Sequence, residues 1–136
     1  MLIGVPKEIK TKEFRVGLTP ASVAEITARG HSVIVETQAG AGIGASDDDY
    51  KAVGAEIASN AASVFEAAEM IVKVKEPQLS ECAMLKPHHT LFTYLHLAAD
   101  KPQAEALCNS GCLAIAYETV TSNQNTLPLL LSLIHI

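Results

Sequence analysis

Short apolar segments alternate with longer polar segments along most of the chain. Apolar runs rich in Val, Ile and Leu, without regular polar alternation, are typical of strands that are buried on both faces. Such runs predict strands at residues 2–5, 31–36, 55–57, 70–74, 90–95 and 112–117.

The polar segments between these runs carry start and stop signals for helices. Thr19 can cap a helix that begins with Pro20, and Gly30 suits its left-handed end. Ser46, followed by three aspartates, caps a second short helix. Further helices are predicted at residues 59–68, 80–85 and 101–110, the last one ended by Gly111. This alternation predicts an α/β fold with a doubly wound parallel sheet, Rossmann-like or flavodoxin-like.

Composition narrows the class of protein. The chain has 136 residues, of which 49% are hydrophobic, and its net charge is −5. It is apolar enough to exclude disorder, and it has no Lys/Arg cluster of the kind that binds nucleic acid. The apolar run at residues 127–136 is too short to span a membrane. Three cysteines and no apparent leader after Met1 lead us to expect a reduced, cytoplasmic protein.

A glycine-rich loop at residues 40–45 (GAGIGA) formally matches the dinucleotide-binding fingerprint. The connection from residue 36 to residue 46 is too long for the tight turn that this fingerprint needs. The helix after it opens with aspartates 47–49, where a pyrophosphate would have to bind. We therefore expect a flexible connection here, and no convincing nucleotide site in this chain.

Three residues at or beyond predicted strand ends are candidates for chemistry. Lys75 follows the strand at 70–74, His96 follows the strand at 90–95, and Arg15 lies between the first strand and the first helix. Parallel sheets bind ligands at the carboxyl ends of their strands, so these side chains can converge on one crevice. Arg15 would bind a carboxylate, Lys75 would polarise a carbonyl oxygen and His96 would transfer a proton. Together they suit a small 2-oxo or 2-amino acid.

Each candidate also has an ordinary structural interpretation. Arg15 lies among other charges that are typical of a solvated face, and Lys75 can extend from a strand end into solvent, as we expect of Lys73. His96 lies between leucines, where a histidine is often part of the core.

Other polar residues are weaker candidates. His88 and His89 with Cys82 lack the spacing of a metal site. Glu118, after the last predicted strand, can line the same crevice, but it is more often a surface acid in such a position.

Several segments resemble the alanine dehydrogenase and transhydrogenase family. They are residues 1–8 (MLIGVPKE), 13–20 (EFRVGLTP), 35–40 (VETQAG), 55–57 (AEI), 72–77 (VKVKEP) and 114–119 (AIAYET). The resemblance covers nearly all of residues 1–130. Residues 91–98 (LFTYLHLA) look like the alanine dehydrogenase version, since transhydrogenase α chains lack this stretch with His96.

The resemblance implies an enzyme that interconverts L-alanine with pyruvate and ammonium, using NAD as hydride carrier. It implies that Arg15 and Lys75 bind the substrate and that Lys75 and His96 are catalytic. It also implies a homo-oligomer, commonly a hexamer.

After residue 130 the sequence departs from the family pattern. Residues 131–136 (LSLIHI) stand where the family continues with Thr-Pro-Met-Ser-Glu-Val-Ala-Gly. We therefore expect a substrate-binding domain at residues 1–128 and a truncated, apolar, non-native tail at 129–136. The separate NAD domain would be missing from this chain, which would be inactive alone. The alternatives are a transhydrogenase α-subunit fragment, a non-enzymatic module that binds small carboxylates, and a structural or interaction domain.

Overall fold

The computed structural model describes residues 1–130 and shows a sheet with helices on both faces. The strands are β1 (Leu2–Val5), β2 (Ser32–Glu36), β3 (Glu56–Ala58), β4 (Met70–Val72), β5 (Thr90–Thr93) and β6 (Leu113–Ala116). The helices are α1 (Pro20–Ala28), α2 (Asp47–Ala52), α3 (Ala61–Ala67), α4 (Leu79–Cys82) and α5 (Lys101–Ser110). Short 3-10 turns lie at Ala41–Ile43, Leu97–Ala99, Tyr117–Thr119 and Pro128–Leu130.

The six strands form one sheet in the order β3-β2-β1-β4-β5-β6, and every neighbouring pair is parallel. The predicted doubly wound parallel sheet is therefore confirmed. The order is that of the Rossmann fold rather than the flavodoxin fold, because the strand order switches between β1 and β4, whereas in flavodoxin-like sheets it switches between β1 and β3.

Alternation along the central strands divides the core between the two faces of the sheet. On β2, Val33 and Val35 pack in one cluster with Val23 of α1, whereas Ile34 packs in the other with Phe65 of α3. Successive side chains of a strand point to opposite faces, so each apolar run supplies both cores. This is why the runs lack polar alternation.

The predicted helix ends match the observed ones where a local hydrogen bond or glycine conformation specifies them. The Thr19 hydroxyl accepts a hydrogen bond from the backbone N–H of Ser22 at 3.3 Å. Ser46 and Asp49 form a reciprocal capping box at the start of α2. Gly30 and Gly111 both adopt the positive φ expected after a helix.

β6 ends one residue earlier than predicted, and two other strands end two residues earlier, all at the carboxyl edge of the sheet. β4 ends at Val72 and β5 at Thr93. Beyond these points, backbone groups bond to side chains: the N–H of Val74 donates to Glu8, and the N–H of Leu95 donates to Glu118. Backbone pairing between the two segments continues for a short way, since the N–H of Tyr94 donates to the carbonyl of Val74 at 3.4 Å. The carboxylates thus bind backbone N–H groups that this pairing leaves free.

The edge strand β6 exposes apolar side chains on one face. Leu113 and Ile115 are exposed, whereas Ala114 and Ala116 pack against the core on the other face. Within residues 1–130, no helix is both long and apolar enough to cross a bilayer.

We predict that Phe65→Ala lowers the free energy of unfolding by about 3–5 kcal/mol, because it leaves a cavity in the core. The ring of Phe65 is 1% exposed, whereas Phe14 is 69% exposed. The matched change Phe14→Ala is expected to cost no more than about 0.5 kcal/mol. Urea unfolding of both variants measures the difference, and equal costs would contradict this assignment of the core.

Candidate active site

The candidate site lies at the carboxyl edge of the sheet between β1 and β4, where the order of the strands switches from one side of β1 to the other. The connection after β1 runs from residue 6 to residue 19, and the segment after β4 runs from residue 73 to residue 78. These two stretches touch: a Cβ on Gly17 would lie 2.5 Å from the carbonyl oxygen of Val72. Only glycine allows so close an approach between the two backbones. This edge of the sheet is where Rossmann-like folds bind their ligands.

A buried charge cluster joins the two stretches. The ammonium of Lys73 forms ion pairs with Glu8 and with Glu81, the latter at 3.0 Å, and all three side chains are at most 2% exposed. The expectation that Lys73 extends into solvent is therefore wrong. A buried ammonium needs anionic partners, and two carboxylates supply them here. Burial raises the pKa of Glu81 even though the charge of Lys73 opposes that shift.

Arg15 lies on the connection after β1, at this edge of the sheet, and binds Glu13. Its Nε and Nη2 donate to the two carboxylate oxygens at 3.0 and 2.7 Å. The Arg15 side chain is 42% exposed, whereas that of Glu13 is 7% exposed. The hydrogen bond from Arg15 lowers the pKa of Glu13, and the same contact raises the pKa of Arg15.

Lys75 acts electrostatically on the carboxylate that binds Arg15. Its positive charge also lowers the pKa of Glu13, after the larger contribution of Arg15. The Lys75 Nζ lies 4.7 Å from the centroid of the Tyr94 ring, a cation–π distance. Lys75 therefore lies over an aromatic face and within electrostatic range of Glu13, the carboxylate that Arg15 binds.

His96 reaches the site through the same aromatic ring. Its imidazole stacks on Tyr94, with a centroid separation of 5.7 Å and an interplanar angle of 10°. The backbone of His96 is left-handed, with φ at 44°, and its N–H donates to the Glu118 carboxylate at 3.1 Å. Contrary to the core interpretation, His96 is exposed. Glu118 accepts hydrogen bonds from the backbone N–H groups of Leu95 and His96, and so does not stand apart as a surface acid.

The structure thus places Arg15, Lys75 and His96 in one neighbourhood. They are linked through Glu13 and Tyr94, which sequence reasoning did not single out. Tyr94 lies two residues before His96 on the same segment. This spacing is the feature of the sequence that could have indicated an aromatic ring beside His96. A cavity of about 340 Å³ opens beside Arg15 and is lined in part by Lys7, Lys12 and Gly42. Lys75 and His96 do not line this cavity. Two cations and an imidazole in one neighbourhood suit a small carboxylic acid.

The glycine loop serves packing. A Cβ on Gly42 would lie 2.1 Å from the carbonyl oxygen of Phe14, so the loop packs against the segment that carries Arg15. Asp47 turns back onto the loop and accepts hydrogen bonds from Thr37 and from the N–H of Gln38. A flexible connection is therefore the wrong description.

This arrangement does not fit a dinucleotide. The backbone of Phe14 occupies the space next to Gly42 that a pyrophosphate would need. Carboxylates occupy the first turn of α2, where they would repel a phosphate. In the Rossmann fold the phosphates instead bind at the turn after the first strand. Here that position holds the buried carboxylate of Glu8.

His89 has a structural environment. Its Nδ1 accepts from the N–H of Lys86 at 2.8 Å, so its Nε2–H donates to the carbonyl of Phe65 at 2.6 Å. Burial lowers the pKa of His89 and raises that of the Cys82 thiol to about 11. Across residues 1–130, no group of three or more His, Cys, Asp or Glu side chains is placed to hold a metal ion.

Comparison with known proteins identifies the family. Residues 4–136 match the model of the family described as alanine dehydrogenase/PNT, N-terminal domain. The chain belongs to this family. Family membership agrees with the resemblance seen in residues 1–8 and 13–20, which form β1, Glu8 and the Arg15 segment.

Individual members of the family are closely similar to the chain. It is 54% identical to an alanine dehydrogenase of Mycolicibacterium smegmatis and 51% identical to one of Bacillus subtilis, each over 96% of this chain. It covers 35% and 34% of those proteins. The chain thus spans about a third of the length of these curated relatives.

Solved structures agree with these relatives. An L-alanine dehydrogenase structure matches with a TM-score of 0.92 and 51% identity, covering 96% of this chain and 36% of that one. A transhydrogenase from Sinorhizobium meliloti matches with a TM-score of 0.80 and 24% identity, covering 87% of this chain and 35% of that one, which shows a shared fold.

In this family member, we predict that Arg15→Gln raises the pKa of Glu13. The lowered pKa means that the pair stabilises the folded chain above about pH 4.5, and that this contribution disappears as the pH falls through the folded pKa. The stability difference between wild type and Arg15→Gln should therefore be largest near neutrality and shrink in acid. Carboxyl ¹³C titration and urea unfolding measure the two effects.

The matched control for this prediction is Arg29→Gln, which removes the other arginine of the chain. It should leave the Glu13 titration unchanged. A Glu13 pKa that is the same in Arg15→Gln as in wild type would contradict the assigned contact.

Proposed function

We propose that this chain is the substrate-binding portion of an NAD-dependent L-alanine dehydrogenase. The reaction converts L-alanine, NAD and water into pyruvate, ammonium, NADH and a proton. The observation that carries the proposal is the shared neighbourhood of Arg15, Lys75 and His96 around Glu13 and Tyr94. The names of the curated relatives support the same activity.

Arg15 binds the substrate carboxylate in this proposal. Glu13 occupies the edge of the guanidinium formed by Nε and Nη2. The substrate carboxylate would therefore bind through Nη1 and the remaining Nη2 hydrogen, on the exposed side of Arg15. Glu13 also fixes the plane of the guanidinium, which reduces the entropy lost when a carboxylate binds.

Lys75 and His96 act on the reacting end of the substrate. The Lys75 ammonium donates a hydrogen bond to the carbonyl oxygen of pyruvate and stabilises the negative charge that develops there. His96 transfers a proton to and from the oxygen or nitrogen substituent. Tyr94 contacts both side chains and so sets their separation.

NAD supplies the hydride chemistry in this proposal, and no step is assigned to it within residues 1–130, since the glycine loop does not suit its pyrophosphate. We propose that it binds mainly to a domain outside this chain, so that the chain alone is inactive. Residues 1–128 would form the substrate domain and 129–136 a non-native tail, most of which lies outside the described residues. The assembled enzyme would be a cytoplasmic homo-oligomer, a hexamer by family resemblance.

A transhydrogenase α-subunit fragment is the second candidate within the family. His96 and its stack on Tyr94 favour alanine dehydrogenase, because proton transfer at a substrate carbon–nitrogen bond needs such a group. A carboxylate-binding module without catalysis would keep Arg15 and Lys75 but would not depend on His96.

We predict that this chain binds pyruvate and that Arg15→Ala and Lys75→Ala each weaken binding about tenfold or more, since each removes a charge-assisted hydrogen bond. Titration calorimetry measures the dissociation constants. The matched controls Arg29→Ala and Lys51→Ala remove exposed cations elsewhere and should bind as wild type does. Equal binding by all five proteins would rule out the proposed site.

Catalysis is tested in a chimera in which the aligned 130 residues of this chain replace those of the Mycolicibacterium smegmatis relative. The chimera should oxidise L-alanine with NAD, and His96→Ala should lower kcat by about 10²- to 10⁴-fold. A chimera that retains full activity without His96 would contradict its catalytic role.

A further inference from the structure

One buried carboxylate of the site has no part in the proposed chemistry. The Glu8 side chain is 2% exposed and lies on the connection after β1. Its Oε1 accepts hydrogen bonds from the backbone N–H groups of Val74 and, at 3.1 Å, of Lys75. Its Oε2 accepts from the ammonium of Lys73. Three donors of the segment 73–75 thus bind the Glu8 side chain, which belongs to the connection after β1.

We propose that Glu8 is a positioning residue that fixes the main chain of Lys75, so that its ammonium lies over Tyr94 and faces the substrate. This inference rests on the proposed function for its consequence in substrate binding. The hydrogen bonds of Glu8 to the two N–H groups lie beyond β4, where pairing with β1 has ended. Pairing with the β5 segment continues there, since the N–H of Tyr94 donates to the carbonyl of Val74 at 3.4 Å. Glu8 therefore takes the place of the missing β1 partner at the point where the candidate substrate-binding lysine leaves the sheet.

The chemistry of the position requires a carboxylate. All three partners of Glu8 are donors, and an ionised carboxylate is the side chain that only accepts. Glutamine offers a single acceptor oxygen, and its amide group would turn two further donors toward the N–H groups or Lys73. A substitution by glutamine keeps the size of the side chain and weakens this set of contacts.

The second half of the cluster orients Glu8 itself. Lys73 holds Oε2, and Glu81 at the end of α4 holds Lys73 from its other side at 3.0 Å. The charge of Glu8 also raises the pKa of the Arg15 guanidinium. This effect is smaller than that of the hydrogen bond between Arg15 and Glu13. One carboxylate thus contacts the backbone of Lys75 and acts electrostatically on Arg15.

The experiment compares wild type with Glu8→Gln by NMR of the ¹⁵N-labelled chain and by pyruvate titration. In Glu8→Gln we expect the amide protons of Val74 and Lys75 to move upfield and to exchange at least tenfold faster, because their charge-assisted hydrogen bonds are weakened. We expect the dissociation constant for pyruvate to rise about tenfold or more.

The matched control is Glu69→Gln. Glu69 precedes β4 and its carboxylate accepts from the N–H of Leu2 at 2.7 Å, so it makes the same kind of bond between β1 and β4 at the opposite edge of the sheet. This variant should leave the amide signals of Val74 and Lys75 and the affinity for pyruvate unchanged. If it lowers the affinity as much as Glu8→Gln does, a general loss of stability accounts for both and the inference is wrong.

A second variant, which lacks the buried ion pair, tests the inference if Glu8→Gln does not fold. Glu8→Met with Lys73→Met removes both charges. Glu81 then loses its cationic partner and is expected to be protonated, because burial already raises its pKa. Apolar replacement of a buried ion pair often preserves stability. We expect this double variant to fold and still bind pyruvate about tenfold more weakly. Recovery of both stability and wild-type affinity would show a purely structural role and overturn the inference.

The outcomes separate this inference from the proposed function. Wild type that fails to bind pyruvate contradicts the proposed function, whereas the amide signals still decide the contact of Glu8 with Lys75. Wild type that binds pyruvate, with Glu8→Gln binding equally well and showing unchanged amide signals, overturns the inference and leaves the proposed function standing.

Discussion

The burial of three charged side chains at the centre of the sheet edge is the constraint on which the candidate site depends. Lys73, Glu8 and Glu81 are each almost fully removed from solvent, and each would be costly there alone. They persist because they neutralise one another, and this requirement joins the connection after β1 to the segment after β4 and to α4. The side chains proposed to bind substrate extend from these same stretches.

The parallel sheet makes that convergence possible. Every strand ends at the same edge, so segments that are distant in sequence leave the sheet side by side. Lys75 and His96 follow the neighbouring strands β4 and β5, and Tyr94 contacts both. The site is thus built from strand connections on a rigid scaffold, which holds the reactive groups without a large loss of entropy on binding.

Strand order and function are separable in this family. The sheet has the order of the dinucleotide-binding fold, yet its first connection carries a buried glutamate and lacks a glycine turn for phosphates. The glycine loop that resembles a fingerprint supports Phe14, next to Arg15. A fold therefore offers an edge at which ligands bind, and the side chains at that edge decide which ligand it is.

The sequence alone was sufficient for the fold class and for most element ends, because apolar runs, caps such as Thr19 and Ser46, and left-handed glycines act over a few residues. It also indicated Lys75 and His96 as candidates beyond two strands, although those strands end two residues earlier than the pattern predicts. Arg15 was indicated by its place between the first strand and the first helix. The sequence did not reveal that Lys73 is buried, that Gly42 packs against Phe14, or that Glu8 holds the backbone of Lys75. Those facts depend on contacts between residues as many as 67 positions apart, which only the folded chain brings together.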